Sequence, residues 1–190
     1  MPPVSVEEAD QLLDSLNADQ RAFVDRVLEA VDNEDAPRLL CLLGPGGTGK
    51  THTYNVLVKY LASRKKSSVA AAYTGVAANL LLRGWTSHKA FGLPLEDKGL
   101  GMSTSTLNLG SKAAKALEKA AAIIWDEVSM AHAFQLHVLD KFLRILMRKQ
   151  NVPFSEKCII LGGDFRHVLP TVRKGSRADI IDASITSSTL

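Results

Sequence analysis

The chain has 190 residues and only two cysteines, Cys41 and Cys158, each inside its own apolar run. They make no close pair of the zinc or redox kind, so both are expected as reduced core residues in a reducing compartment. No apolar stretch approaches the roughly 18 residues of a membrane span. The opening stretch, MPPVSVEEADQLLDSL, is acidic and lacks the basic and apolar blocks of a secretory leader. A nuclear or cytoplasmic protein is expected, or one of the mitochondrial matrix, neither secreted nor membrane-bound. Internal repeats are absent. Strong charge is absent too: the net charge of +3 permits a nucleic-acid partner without arguing for one.

The rest is ordinary for a soluble globular protein, with 46% hydrophobic and 23% charged residues. Such a length defaults to one domain with a sizeable core. Apolar positions Ala22, Phe23, Val27, Leu28 and Val31 recur at helical spacing over 18–31. RLLCLL (38–43) reads as a buried strand, followed by a helix over 50–63. SSVAAAYT (67–74) is a weaker strand because of its alanines. A helix is expected over 75–83, a long loop over 92–110, and a helix over 111–120 capped by Ser111. AAIIW (121–125) reads as a strand, 131–149 as an amphipathic helix, and KCIIL (157–161) as a strand. This alternation predicts an α/β fold: a parallel sheet with helices on both faces, and ligands beyond the carboxyl ends of the strands.

GPGGTGKT (44–51) matches the phosphate-loop pattern between a predicted strand and a predicted helix. Its glycines let backbone N–H groups curl around phosphate oxygens, and the helix start adds unpaired donors. Lys50 is placed to reach the β- and γ-phosphates, and the Thr51 hydroxyl to hold Mg²⁺. AIIWDE (122–127) ends in two acids. Asp126 suits Mg²⁺, and Glu127 suits accepting a proton from an attacking water, which favours ATP hydrolysis. The alternative is that both acids cap a helix starting near Ser129.

Three further segments are less specific. Gln20 follows Asn17 at capping-box spacing, and its amide also suits adenine recognition. TGVAANLLLRGWTSHKAFGLP (74–94) fits a packed helix pair with a satisfied His88. GGDFRHVLP (162–170) sets Asp164, Arg166 and His167 at a strand tip.

In order, LNADQ, GPGGTGKT, TGVAA, GWTSHKAFG, IIWDEVSM and GGDFRHVLP resemble the motif series of the PIF (petite integration frequency) family of superfamily-one DNA helicases. IIWDEVSMAHAFQLHVLDKFLR resembles the branch carried by Helitron rolling-circle transposons. The resemblance covers residues 16–190 and leaves 1–15 as an N-terminal tail. It implies a RecA-like P-loop NTPase domain, ATP with Mg²⁺, and 5′-to-3′ movement on single-stranded DNA. Repair, recombination, telomere or transposon roles go with it.

By motif match, Lys50, Asp126, Glu127 and His167 become catalytic, with Thr51 and Asp126 on the metal. Gln20, Gly44, Pro45, Gly46, Gly47, Thr48, Gly49, Lys50, Thr51, His52 and Asp164 become the nucleotide site. Thr74, Gly75, Thr86, Ser87 and His88 become the single-stranded DNA surface. The family pattern has glutamine most often where this chain has His167, so γ-phosphate sensing by an imidazole is an expectation of its own.

The family closes its ATP cleft with a second RecA-like domain, whose arginines reach the γ-phosphate. The motif series here stops at the first, with Arg166 and Arg173 unsuited as substitutes. An arginine finger is worth about 10³–10⁵ in rate, or about 4–7 kcal/mol of barrier. Weak ATPase and no unwinding are therefore expected of these residues alone. The alternative is a non-catalytic module, or degenerate fragment, that binds ATP and single-stranded DNA. A small-molecule kinase would need an arginine-rich lid, and 92–110 holds no arginine.

Overall fold

A computed structural model of the chain describes residues 5–97, 99, 102–166, 170–172, 176–188 and 190. The elements run α1 (Val6–Asp14), α2 (Ala18–Asp32), β1 (Leu39–Leu43), α3 (Lys50–Ser63), β2 (Ser67–Ala72), α4 (Gly75–Leu80) and β3 (Trp85–Thr86). Then come α5 (Ser87–Phe91), α6 (Lys112–Lys119), β4 (Ala120–Asp126), α7 (Ala133–Met147), β5 (Cys158–Gly163) and α8 (Arg177–Ala183). Short 3-10 turns cover Val128–Met130, Pro153–Glu156 and Ile185–Ser187. The five strands form one parallel sheet in the order β1-β5-β4-β2-β3.

Alternation along the strands divides the core in two. Ala122 and Ile124 of β4 and Cys158 and Ile160 of β5 point to one face, where Phe23, Val27, Leu57 and Leu61 of α2 and α3 cover them. Ile123, Trp125, Ile159 and Leu161 point to the other, under Phe91, Leu117, Leu139, Phe142 and Leu143. Burying each such side chain contributes about 1.5–3 kcal/mol. The Phe91 and Trp125 rings meet edge to face, with centroids 5.2 Å apart.

The alanines that weakened the prediction for β2 suit its position. Ala70, Ala71 and Ala72 are nearly or fully buried, between β4, β3 and helices on both faces. Tertiary fit overrides propensity there.

Several expectations change. Residues 6–14 are not a tail. They form α1, capped by the Ser5 side chain, which accepts from the Glu8 N–H at 3.1 Å. Ala9 and Leu13 are buried on one side of it, and α1 packs against α3. Cys41 is exposed, whereas Cys158 is buried. The reason is position: β1 is an edge strand, and its Leu39–Cys41–Leu43 side is exposed. β3 and α8 escaped prediction, being two and seven residues long, whereas α4 and α5 are two helices within 74–94, as the helix-pair reading of that segment expects. Residues 92–110 hold no helix or strand among those described. Their Thr106 N–H bonds the Gly92 carbonyl at the end of α5.

Gly162 is set by close approach. A Cβ there would overlap the Tyr54 hydroxyl and lie 2.9 Å from Asp126 Oδ1. Tyr54 is fully buried, and its hydroxyl finds no hydrogen-bond partner. Gly162→Ala is therefore expected to destabilise the chain by about 2–3 kcal/mol, the range of an overpacked core. Tyr54→Phe should be neutral or stabilising alone and should recover part of the loss in the double variant. Urea unfolding of the four proteins measures both effects. Additive single effects would remove the clash as the cause.

Candidate functional site

The sheet delivers four segments to one edge. β1 runs into the glycine loop, β2 into Thr74, β4 into Asp126 and Glu127, and β5 into Asp164. They enclose a cleft of about 580 Å³ lined by Pro45, Gly46, Gly47, Gly49, Lys50, Thr51, Asp126, Glu127, Gly163 and Asp164. Ala77, Leu80, Ser129 and Met130 complete its wall; Ala77, Ser129 and Met130 lie inside the matched motif strings but were not among the expected site residues.

The loop is closed on itself. Lys50 Nζ donates to the Gly44 carbonyl at 2.7 Å and the Pro45 carbonyl at 3.0 Å. Thr48 Oγ1 donates to the Pro45 carbonyl at 2.9 Å. Gly49 caps α3 in the left-handed region, φ 83°, where a Cβ would also meet Gln20 Nε2 at 2.5 Å. The α3 start therefore faces the cleft with unpaired N–H donors, a setting for an anion.

Gln20 does more than either expectation. Its Oε1 accepts from the Asn17 N–H at 3.2 Å, completing the capping box. Its Nε2 donates to the Thr48 carbonyl at 3.2 Å and straps α2 to the loop. An amide has two donors and two acceptor sites, so one of each is left for a base edge. His52 is exposed and does not line the cleft.

Asp126 is 4% exposed. Its Oδ1 accepts from the Glu127 N–H at 2.9 Å. Burial raises its pKa, while that hydrogen bond and the Lys50 charge pull it down and the Glu127 charge pushes it up. Glu127 is a non-glycine residue in the left-handed region, φ 55° and ψ 33°, a conformation costing about 1–2 kcal/mol. It starts the Val128–Met130 turn without a side-chain cap, so the capping alternative fails for it. Its Oε2 instead accepts from Thr74 Oγ1 at 2.6 Å and from the Thr74 N–H at 3.3 Å. No spacing signal in the sequence announces that pair.

The other expected residues divide. Asp164 lines the cleft, and its Oδ1 accepts from the Arg166 N–H at 3.0 Å. The Arg166 side chain is exposed. His167 and Arg173 lie outside the described residues. Gly75 is exposed and Thr86 half-buried, with no cap bond from the Thr86 side chain to α5. Ser87 is a correction: it is fully buried, so its hydroxyl faces the core and not a strand of DNA. His88 is half-buried, edge-on to Tyr73 at 5.4 Å, and its Nε2 lies 3.3 Å from Gln135 Nε2. Burial lowers its pKa, which keeps it neutral near pH 7. These are the contacts of a packed histidine.

Among the described residues no cluster of three His, Cys, Asp or Glu could hold a metal. Mg²⁺ needs none, since one carboxylate, one hydroxyl, phosphate oxygens and water complete its shell. Asp126 and Thr51 both line the cleft and fit that set. No helix among the described residues is long and apolar enough to cross a membrane.

The raised pKa of Asp126 has a sign. A carboxylate whose folded pKa exceeds its unfolded value works against the fold above that value. The cost disappears as the pH falls through the raised pKa toward the ordinary range near 4. Asp126→Asn is thus expected to raise the ligand-free melting temperature at pH 7 by roughly 2–4 °C, about 1 kcal/mol. The gain should fade as the pH falls toward the ordinary carboxylate range, and Mg²⁺-dependent nucleotide binding should be lost. A variant that melts lower than the parent at pH 7 would contradict this.

Residues 15–190 match the family described as PIF1-like helicase. The ATP-dependent DNA helicase Pif1 of Psychrobacter sp. (strain PRwf-1) is 32% identical over 134 residues, which are 70% of this chain and 20% of that protein. The chain thus spans about a fifth of that relative's length. The crystal structure of Pif1 helicase from Candida albicans superposes with a TM-score of 0.68 at 26% identity, covering 92% of this chain and 36% of that one. Bacteroides Pif1 bound to ssDNA superposes with a TM-score of 0.64 at 25% identity, over 83% of this chain and 35% of that one. The chain belongs to the PIF1-like helicase family.

Proposed function

We propose that the chain is the first RecA-like, ATP-binding motor domain of a 5′-to-3′ DNA helicase. One observation carries the reading: the phosphate loop faces Asp126 and Glu127 across a single cleft, and Glu127 is bonded to Thr74 at the opening of the next segment. The names of the relatives as ATP-dependent DNA helicases support it, as does a Bacteroides neighbour bound to ssDNA.

In this reading the N–H groups of the loop and of the α3 start hold the phosphates. Lys50 exchanges its two loop carbonyls for phosphate oxygens. Gln20 turns its spare donor and acceptor to the adenine. Thr51 and Asp126 hold Mg²⁺, which neutralises charge on the β- and γ-phosphates. Glu127 positions a water and takes its proton. Asp164 belongs to the rim beside the terminal phosphate, and His167 senses that phosphate. The strand of DNA lies over Thr74, Gly75 and Thr86, with His88 beneath, held by backbone contacts that position without reading sequence. The segment from β4 into α7 supports a Helitron-type branch.

Alone, these residues form half of a nucleotide cleft, so hydrolysis is slow and unwinding needs a second RecA-like domain. The closed resting state favours the second reading, a binding module with little turnover. Lys50 is bonded to its own loop, and Glu127 is held by Thr74. Single-turnover hydrolysis of ATP by the 190-residue chain separates the two. The motor-domain reading expects slow, Mg²⁺-dependent cleavage that Lys50→Ala abolishes. Binding without any cleavage selects the module, and vigorous DNA-stimulated turnover removes the half-cleft argument.

Thr74→Val tests the link between the two surfaces. Removing the hydroxyl frees Glu127, so single-turnover hydrolysis without DNA should rise severalfold and its stimulation by oligo-dT should disappear. Thr74→Ser keeps the hydroxyl and should behave as the parent. The lost α4 cap costs about 1 kcal/mol, so rates are compared well below the melting temperature. Equal rates in all three proteins would remove Thr74 from the mechanism.

A further inference from the structure

Among the described residues, no strand lies on the outer edge of the first half of β2. β3 pairs only with Ala71 and Ala72, which leaves Ser67–Ala70 as the border of the sheet. The Tyr73 N–H bonds the Asp126 carbonyl on the β4 side. Backbone groups of alternate residues point to opposite edges, so Ser68 and Ala70 share the outward direction of Ala72. Beside them lies a groove of about 710 Å³. Val58 and Leu82 wall one side, Leu107 and Ala116 the other, and Trp85 closes the β3 end. Lys66, Arg83, Lys89 and Lys112 rim it, and none of its described lining residues is acidic.

The rim is not equally available. Lys66 is paired with Asp32. The Lys89 ammonium sits 4.5 Å from the centroid of the Trp85 ring, which is 49% exposed. Arg83 and Lys112 have no acidic partner among the described residues. Charged residues also guard open strand edges against self-pairing. Guarding needs no groove with apolar walls on both sides and a tryptophan at its end.

We infer that this groove takes an extended, acidic segment of a partner protein, added to β2 as a further strand. Ser67, Ser68 and Val69 are exposed or half-buried and offer about 10 Å of edge at about 3.3 Å each, running into the buried Ala70. Their outward N–H and C=O groups repeat at the spacing of a polypeptide backbone. Alternate side chains of the added segment fall against the apolar walls, and the intervening carboxylates reach Arg83, Lys112 and Lys89. Strand addition takes affinity from the main chain and specificity from the alternating pockets. A nucleic-acid strand fits less well, because the outward backbone groups of Ser68 and Ala70 match an amide repeat and the walls are apolar.

A fluorescein-labelled peptide of five Val-Glu repeats is titrated into the 190-residue chain, with amide hydrogen exchange followed in parallel. Saturable binding is expected, together with slowed exchange at Ser68 and Ala70. Arg83→Glu combined with Lys112→Glu should weaken binding at least tenfold. Ser68→Pro removes an outward N–H while the β4-side bonds stay, a substitution edge strands tolerate, and should weaken binding and abolish the protection. If that variant fails to fold, the charge reversal and the exchange data decide alone. The inference is overturned by absent binding, or by binding indifferent to the charge reversal. It is equally overturned if oligo-dT protects Ser68 and Ala70 instead, or if protection grows with protein concentration without peptide.

Discussion

Asp126 is held almost out of water at the tip of β4, and an ionised carboxylate there is costly unless donors and cations surround it. The surroundings come from several elements at once. The Glu127 N–H turns back onto Oδ1, and the charge of Lys50 lies near enough to lower the pKa. β5 passes close behind with a glycine, because Tyr54 from α3 occupies the space a side chain would need. Glu127 itself takes a left-handed conformation and turns the chain from β4 into the Val128–Met130 turn. The strain at 127, the glycine at 162 and the partnerless Tyr54 hydroxyl thus surround one buried charge. A stability cost at that position accords with the proposed role of Asp126 in holding Mg²⁺.

Parallel pairing then decides which residues meet next. Ala72 of β2 is in register with Asp126 of β4. Residues just beyond those ends face each other, which is how Thr74 comes to hold Glu127 although 53 positions separate them. A ligand that grips the Thr74 backbone or hydroxyl must disturb that carboxylate. While Thr74 is undisturbed, its hydroxyl and N–H both occupy the Glu127 Oε2 oxygen. Under the proposed roles, coupling between the strand-binding surface and the hydrolytic site needs no long pathway, only the two hydrogen bonds that Thr74 donates to Glu127 between adjacent strand ends.

Elements with long periodic patterns were legible in the sequence: α3 begins and ends at the expected Lys50 and Ser63, and α2 extends the expected span by one residue. The phosphate loop and the acids after β4 were legible because their chemistry demands particular residues at particular offsets. Short elements were not. β3 is too brief for its period to register, and it is stabilised by Trp85 and Thr86 pairing with β2. Ser87 looked like part of a polar surface, yet a five-residue helix turns it inward. Composition alone cannot distinguish the two faces of so short a helix. Cys41 went the other way, because an apolar run does not tell a central strand from an edge. Gln20 shows a subtler limit. Its spacing fitted a cap and its amide fitted a base, and the structure uses half the amide for the cap and the loop while leaving the other half unspent.

β3 joins the two regions proposed to receive other molecules. It has two residues, and successive strand residues point to opposite sides. Trp85 lines the groove beside the open half of β2, while Thr86 begins the segment that leads through α5 to His88 and its contacts with Tyr73 and Gln135. A segment added below β3 would extend the ladder that now holds only Ala71 and Ala72 to it, and would fix Trp85 against its new neighbour. The backbone of Thr86 would be fixed with it, since one peptide unit joins them. Tyr73 would be fixed as well, through β2, and Thr74 follows Tyr73. An occupant of the groove would in this way stiffen the surface assigned to the strand of DNA without touching it. Its effect on hydrolysis would pass through Thr74 and Glu127, where the Thr74 hydroxyl and N–H both donate to the carboxylate.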